Sequence, residues 1–134
     1  MAERLRFAAI GCGRIGARRM KAITGHPETE LVCLSDNDTE AAKRFSKEMG
    51  CDFQGDWEEA VSRSDVDCVV VSVPNRLHHP IAVRALDLGK HVWCEKPLAR
   101  NPEEALGIVH AAAKAEGFLK VGSNLRYFPN ILKA

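Results

Sequence analysis

Arg6-Phe7-Ala8-Ala9-Ile10-Gly11-Cys12-Gly13-Arg14-Ile15-Gly16 is the stretch that decides the fold. Arg6 to Ile10 is a short apolar run that reads as a buried strand. From Gly16 onward the spacing changes, with Gly16, Met20 and Ile23 at i, i+4 and i+7, one face of a helix. A strand that turns through glycines directly into a helix begins a β-α unit, and the rest of the chain repeats that alternation.

Gly25 is placed to stop the first helix, and Leu31–Leu34 is the next apolar run. Asp38 or Thr39 can cap a second helix, whose Ala41, Phe45 and Met49 share a face before Gly50 ends it. Cys51–Phe53 is a weak third strand, and Asp56 with Glu59 reads as a capping box. Cys68–Val73 is a β-branched run suited to a central parallel strand buried on both faces. Ile81, Ala85 and Leu88 mark a further helix closed by Gly89, and His91–Cys94 is a fifth strand. Asn101-Pro102-Glu103-Glu104 supplies an N-cap, a proline at N1 and acids in the first turn. Ala105, Ile108, Val109 and Ala112 are expected on that helix's buried face, with Gly117 after it and Phe118–Val121 as a sixth strand. Strands and helices in strict alternation predict an α/β fold, a doubly wound parallel sheet of six strands in the order 3-2-1-4-5-6.

The 134 residues fit one domain, and 46% hydrophobic with 28% charged residues is an ordinary globular composition. A net charge of +1 gives no argument for nucleic acid or for an anionic membrane as partner. No window of about 18 apolar residues exists, and the N-terminus lacks a signal-peptide core, so the expected compartment is the cytoplasm. The five cysteines include no C-x-x-C pair, and Cys33, Cys68 and Cys94 sit in apolar runs as small hydrophobes; no metal site is expected.

Four groups of residues carry chemistry. Gly11-x-Gly13-x-x-Gly16 ends a strand and opens a helix, the context in which this spacing cradles a dinucleotide pyrophosphate. Gly11 allows the turn, Gly13 clears space for phosphate, Gly16 allows close packing, and Arg14 and Ile15 open the helix whose free N–H groups favour an anion. Asp36, about 20 residues on, is placed to accept hydrogen bonds from a ribose and to repel a 2′-phosphate, favouring NAD over NADP; the competing role is helix capping, for which Asp38 and Thr39 stand closer. Pro74-Asn75-Arg76-Leu77-His78 follows the central strand, where ligands bind in open α/β sheets, although Asn75 and His78 also suit a plain helix start. Glu95-Lys96-Pro97 ends the fifth strand, and a lysine there is either a proton-transfer group or a surface charge.

In order along the chain, these motifs, the Gly89-Lys90-His91-Val92 and Pro97-Leu98-Ala99 flanks, and Asn124-Leu125-Arg126-Tyr127-Phe128-Pro129 resemble the N-terminal Rossmann domain of the Gfo/Idh/MocA family of oxidoreductases. The resemblance implies an NAD- or NADP-dependent enzyme acting on CH–OH groups of sugars, sugar nucleotides and cyclitols. It implies Lys96 as the catalytic residue beside the nicotinamide, a Lys96–Pro97 peptide that is often cis, and cofactor-facing positions at Pro74, Asn75, His78, Glu95 and Arg126. Residues 1–123 would form the nucleotide-binding domain and 124–134 the start of the connection to a C-terminal α/β domain that this chain lacks. In relatives that domain supplies a catalytic histidine, the substrate contacts and the interface of a homo-oligomer. The expectation is therefore a chain that binds NAD without turnover. A non-catalytic NAD-binding or redox-sensing module is the alternative, and a reductase of another substrate class in the same family is a third reading.

Overall fold

The computed structural model describes residues 3–123. Six parallel strands lie in the order β3-β2-β1-β4-β5-β6. They are β1 (Leu5–Ile10), β2 (Thr29–Ser35), β3 (Asp52–Phe53), β4 (Cys68–Val71), β5 (His91–Glu95) and β6 (Leu119–Gly122). The crossovers are α1 (Arg14–Thr24), α2 (Thr39–Met49), α3 (Trp57–Ser62), α4 (His78–Asp87) and α5 (Pro102–Lys114), with a single 3₁₀ turn at Asn75–Leu77 leading into α4. The doubly wound sheet expected from the alternation is the observed one. Strand order reverses between β1 and β4, and a crevice opens where their following helices diverge to opposite faces.

Helix α1 buries Gly16, Met20 and Ile23 against β1, β2 and β4, the face its spacing indicates. Its C-cap, Gly25, is right-handed, so that stop needs no glycine conformation, whereas Gly50 after α2 is left-handed with φ 71°. Asp38 caps α2, its Oδ1 accepting from the Ala41 N–H at 3.0 Å. That helix sinks deepest at Ala42 and Ser46, with Ala41, Phe45 and Met49 flanking them half-buried. Asp56 caps α3 through the Glu58 N–H rather than that of Glu59. All four residues of β4 are buried, and the strand ends at Val71, two residues short of the apolar run.

One residue expected to mark a helix lies outside it, and one buried-face expectation is corrected. Leu88 is 39% exposed because α4 ends at Asp87 and Leu88, as its C-cap, turns away from the helix face. Val109 is 48% exposed because α5 packs on α4 along Ile108 and Ala111, a narrower face than the apolar positions suggest. Asn101 caps α5 by accepting from the Glu104 N–H at 2.9 Å.

The amino ends of the strands are closed by ionic contacts. The Arg6 guanidinium donates from Nε and Nη2 to the two oxygens of Asp67, and the Arg6 N–H also donates to Asp67, tying the start of β1 to the approach to β4. Lys90, just before β5, donates from Nζ to the carbonyls of Arg63 and Val66 at 2.8 and 2.6 Å. Among the described residues no helix is long and apolar enough to cross a membrane, and no group of three acidic, histidine or cysteine side chains is placed to hold a metal ion. The cysteines are all free thiols.

Candidate functional site

The glycine loop leaves β1 at Ile10 and enters α1 at Arg14, and its three glycines do three different things. Gly11 is left-handed with φ 97°, and a Cβ there would lie 2.3 Å from the Ser72 carbonyl oxygen. A Cβ on Gly16 would lie 2.1 Å from the Gly11 carbonyl oxygen, so this glycine lets the first turn of α1 fold back on the loop itself. A Cβ on Gly13 would have nothing within 4 Å. Gly13 is the N-cap of α1, offers no capping side chain, and no acidic residue occupies the first turn. The result is a helix N-terminus with open N–H groups facing empty space, which fits a bound diphosphate.

Asp36 leaves β2 beside this loop. Its Oδ2 accepts from the Cys12 N–H at 2.7 Å and its Oδ1 from the Asp38 N–H at 2.8 Å. The helix cap belongs to Asp38, so the competing role is filled by the neighbour. Asp36 instead ties the glycine loop to the β2–α2 turn, with lone pairs remaining for a hydroxyl. Burial first, and then Asp36, push the Cys12 thiol up to about 12.

Two cavities flank the loop. One of about 340 Å³ runs from Asp36 and Asn37 past Gly13 to Trp57, Pro74 and Leu77. The other, of about 580 Å³, is bounded by Ile15, Val73, Asn75, His78, Glu95 and Lys96. Ser72 and Val73, the residues that follow β4, line both. Together the cavities form one crevice along the carboxyl ends of β2, β1, β4 and β5, with the open helix N-terminus at its middle. Ser72 Oγ and Asn75 Oδ1 are buried there without a hydrogen-bond partner, and such atoms are rare unless something else completes them. A third cavity of about 360 Å³ lies on the other side of Asp36, and exposed Arg14 and Arg44 line it.

Lys96 stands exposed at the rim of the second cavity, with no hydrogen bond or ion pair among the described residues. The Lys96–Pro97 peptide is cis. Glu95 is paired with Arg19, whose Nε donates to Glu95 Oε1 at 2.9 Å. His78 lines the cavity but is 2% exposed, and its ring nitrogens each lie 2.9 Å from a backbone carbonyl oxygen, Nδ1 from that of Pro97 and Nε2 from that of Val73. It ties the end of β4 to the Lys96–Pro97 turn.

Gly13, Ile15, Asp36, Pro74, Asn75, His78, Glu95 and Lys96 thus line one crevice, Gly11 and Gly16 shape the loop at its middle, Arg14 lines the third cavity beside Asp36, and Arg126 lies outside the described residues. The sequence reading missed Ser72, Trp57 and Arg19. Ser72 carried a signal, being the one polar residue inside the β-branched run. Arg19 carried none, because its partners lie 74 and 76 positions away on β5.

The model of an oxidoreductase family with an NAD-binding Rossmann fold, Gfo/Idh/MocA, matches residues 5–123. An inositol 2-dehydrogenase from Rhizobium meliloti is 31% identical over 129 residues, 96% of this chain and 38% of that protein. Among solved structures, the WlbA dehydrogenase from Chromobacterium violaceum in complex with NADH and UDP-GlcNAcA superposes with a TM-score of 0.93 at 30% identity, covering 99% of this chain and 39% of that one. A 3-ketoreductase from Actinomadura kijaniata, in complex with NADP, superposes with a TM-score of 0.90 at 30% identity, covering 98% and 41%. The chain therefore spans well under half the length of each. With a crevice of this shape, on this sheet, the chain belongs to the Gfo/Idh/MocA oxidoreductase family, and residues 5–123 match its NAD-binding Rossmann domain.

Proposed function

We propose that the chain holds NAD across the crevice as the cofactor half of an oxidoreductase acting on a CH–OH group of a sugar, sugar nucleotide or cyclitol. The observation that carries this reading is the open N-terminus of α1 at Gly13, with a carboxylate at one end of the crevice and an unpaired lysine at the other. The pyrophosphate would sit on the N–H groups of residues 14–16. Asp36, held in place by two backbone N–H groups, would accept from the adenosine ribose hydroxyls. Asn75 and Ser72 would complete their hydrogen bonding on the nicotinamide side.

NAD, when bound, supplies the hydride acceptor. Lys96 would hold at Nζ the proton that leaves the substrate hydroxyl as its carbon is oxidised, and return it in the reverse direction. The substrate contacts, and a second proton-transfer group, would come from the part of the relatives this chain does not span. Residues 124–134 would lead toward it.

A second cofactor reading has its own observation. Arg14 and Arg44 beside Asp36 offer cations to a 2′-phosphate, which would make the domain NADP-binding. Calorimetric titration with both cofactors decides between them. NAD should bind at least about tenfold tighter, a difference of about 1.4 kcal/mol. Asp36→Ala should narrow it. Equal or tighter NADP binding refutes the ribose role of Asp36, and binding of neither refutes the whole reading.

A further inference from the structure

We propose that Arg19 is a positioning residue for Lys96, clamping the end of β5 against the helix that receives the pyrophosphate. The proposal rests on the crevice being the NAD site. Trp93 and Glu95 are two apart on β5, so their side chains leave the strand on the same face. Arg19 lies across both. Its guanidinium carbon is 4.2 Å from the centre of the Trp93 ring, and the fork of Nε and Nη2 closes on Glu95 Oε1.

Glu95 is confined from the other side as well. It pairs in the sheet with Gly122 of β6, and a Cβ on Gly122 would lie 2.9 Å from Glu95 Oε1. The carboxylate is thus held between a guanidinium and the backbone of β6, with side-chain exposures of 24% for Arg19 and 15% for Glu95. A planar fork that stacks on an indole while binding a carboxylate fixes direction as well as charge, which an ammonium cannot do. Among the described residues Arg19 is the sole cation paired with Glu95.

Two consequences converge on Lys96, the next residue in the chain. The clamp sets where β5 ends relative to α1, hence how Lys96 stands over the nicotinamide half of the crevice. It also satisfies the carboxylate adjacent to Lys96, leaving that ammonium unpaired. Without Arg19, the half-buried Glu95 carboxylate shares its cavity with one other lysine or arginine, its chain neighbour Lys96. Lys96 is then drawn off the cavity rim toward β5, and the floor under the nicotinamide ring changes shape.

The test separates the two halves of the crevice by comparing NAD with ADP-ribose, which keeps both riboses and the diphosphate but lacks the nicotinamide ring. The 134-residue chain and its Arg19→Met and Arg19→Lys variants are titrated with each ligand by calorimetry, with thermal melts alongside. Arg19→Met should leave ADP-ribose affinity within about twofold and lower the preference for NAD over ADP-ribose by about fivefold, an effect confined to ground-state contacts of the ring. Arg19→Lys, which keeps a cation for Glu95 but neither the fork nor the stack on Trp93, should restore that preference only in part, to between the Arg19→Met value and the parent's. If Arg19→Met has no cooperative melt, Arg19→Gln, which keeps a donor, takes its place in the comparison. Equal losses for both ligands mean a general packing role, and an unchanged preference means no role; either result overturns the proposal. A parent chain that binds neither ligand refutes the NAD site itself, a result distinct from both.

Discussion

Gly13→Val should produce a folded domain that binds cofactor about a hundredfold more weakly. In the structure the space where a Cβ would go is empty to 4 Å, and the backbone at φ −66°, ψ −169° is open to any residue. Two small terms bear on stability. Restricting the unfolded chain contributes about 0.4–1 kcal/mol in favour. Putting valine in place of glycine at an N-cap costs a similar amount. The net change should stay within about 1 kcal/mol, or about 4 °C in Tm for a domain of this size. Binding is another matter. The isopropyl group occupies the approach to the N–H groups of residues 14–16, and hydrogen bonds to a charged partner are worth about 1.5–3 kcal/mol each. Loss of two is about 3 kcal/mol, or about a hundredfold in Kd.

The neighbouring glycines behave in the opposite way. Ala at Gly16 meets the Gly11 carbonyl oxygen at 2.1 Å, and Ala at Gly11 meets the Ser72 carbonyl oxygen at 2.3 Å in a left-handed backbone. Each should cost about 2 kcal/mol or more from crowding, with backbone strain added at Gly11. The assay is a pair of melts for each variant, with and without NAD at about a hundred times the parent Kd, where the parent gains about 2.7 kcal/mol. Gly13→Val should keep close to the apo parent's melting temperature and gain only about 0.4 kcal/mol from NAD. Gly11→Ala and Gly16→Ala should melt lower in both. NAD binding by Gly13→Val within about threefold of the parent would refute the diphosphate site, since no side chain could then share that space.

The remaining predictions concern the frame and the chemistry. Lys90→Met should lower stability by about 2 kcal/mol, read from denaturant midpoints, because it removes the Nζ donor from the Val66 carbonyl and leaves the Arg63 carbonyl with only the 3.3 Å bond from the Val66 N–H. Arg6, by hydrogen bonding to it, holds Asp67 below the usual carboxylate range. The ionised form therefore stabilises the fold above the unfolded pKa of about 3.9, and that contribution disappears as pH falls through the lower folded value. The stability gap between parent and Asp67→Asn should be constant from neutral pH to about 5 and narrow as pH falls below about 4; a gap that does not narrow there would contradict the pairing. Burial pushes the Cys33, Cys68 and Cys94 thiols up to about 12 and the half-buried Cys51 to about 11, so alkylation at pH 8 should reach Cys51 first, as peptide mapping would record. Incubated with NAD and a panel of sugars, inositols and sugar nucleotides, the 134-residue chain should form no reduced cofactor. Turnover that disappears with Lys96→Met would show that the chain carries a complete site.

The sheet was legible because its central strands are nearly continuous apolar runs, and α1 because Gly16, Met20 and Ile23 stand out against charged neighbours. Helix α5 was harder to read. Ala105-Leu106-Gly107-Ile108-Val109 is apolar nearly all round, so the buried line through Ile108 and Ala111 follows from packing on α4, which spacing does not encode. The site divides in a similar way. The glycine loop, Asp36 and Lys96 sit where strand ends must place them. The Asp36 contact to Cys12, the His78 bridge and the Arg19 clamp join residues far apart in the chain, and each depends on distances the sequence does not contain.

The two ends of this sheet differ in completeness. At the amino ends each charge described is spent within the chain, Arg6 on Asp67 and Lys90 on two carbonyls. At the carboxyl ends Ser72 Oγ, Asn75 Oδ1, Lys96 and the N–H groups at Gly13 have their bonding unfinished among the described residues. A self-satisfied end resists change, since altering one partner strands the other. An unfinished end can accept substitution without collapse, because the lost contact was never one the fold relied on. Descendants of one scaffold can therefore change what they hold at these unfinished positions while the opposite edge stays constant, and a library confined to Ser72, Asn75 and Lys96 should retain folded members at a far higher rate than one confined to Arg6, Asp67 and Lys90.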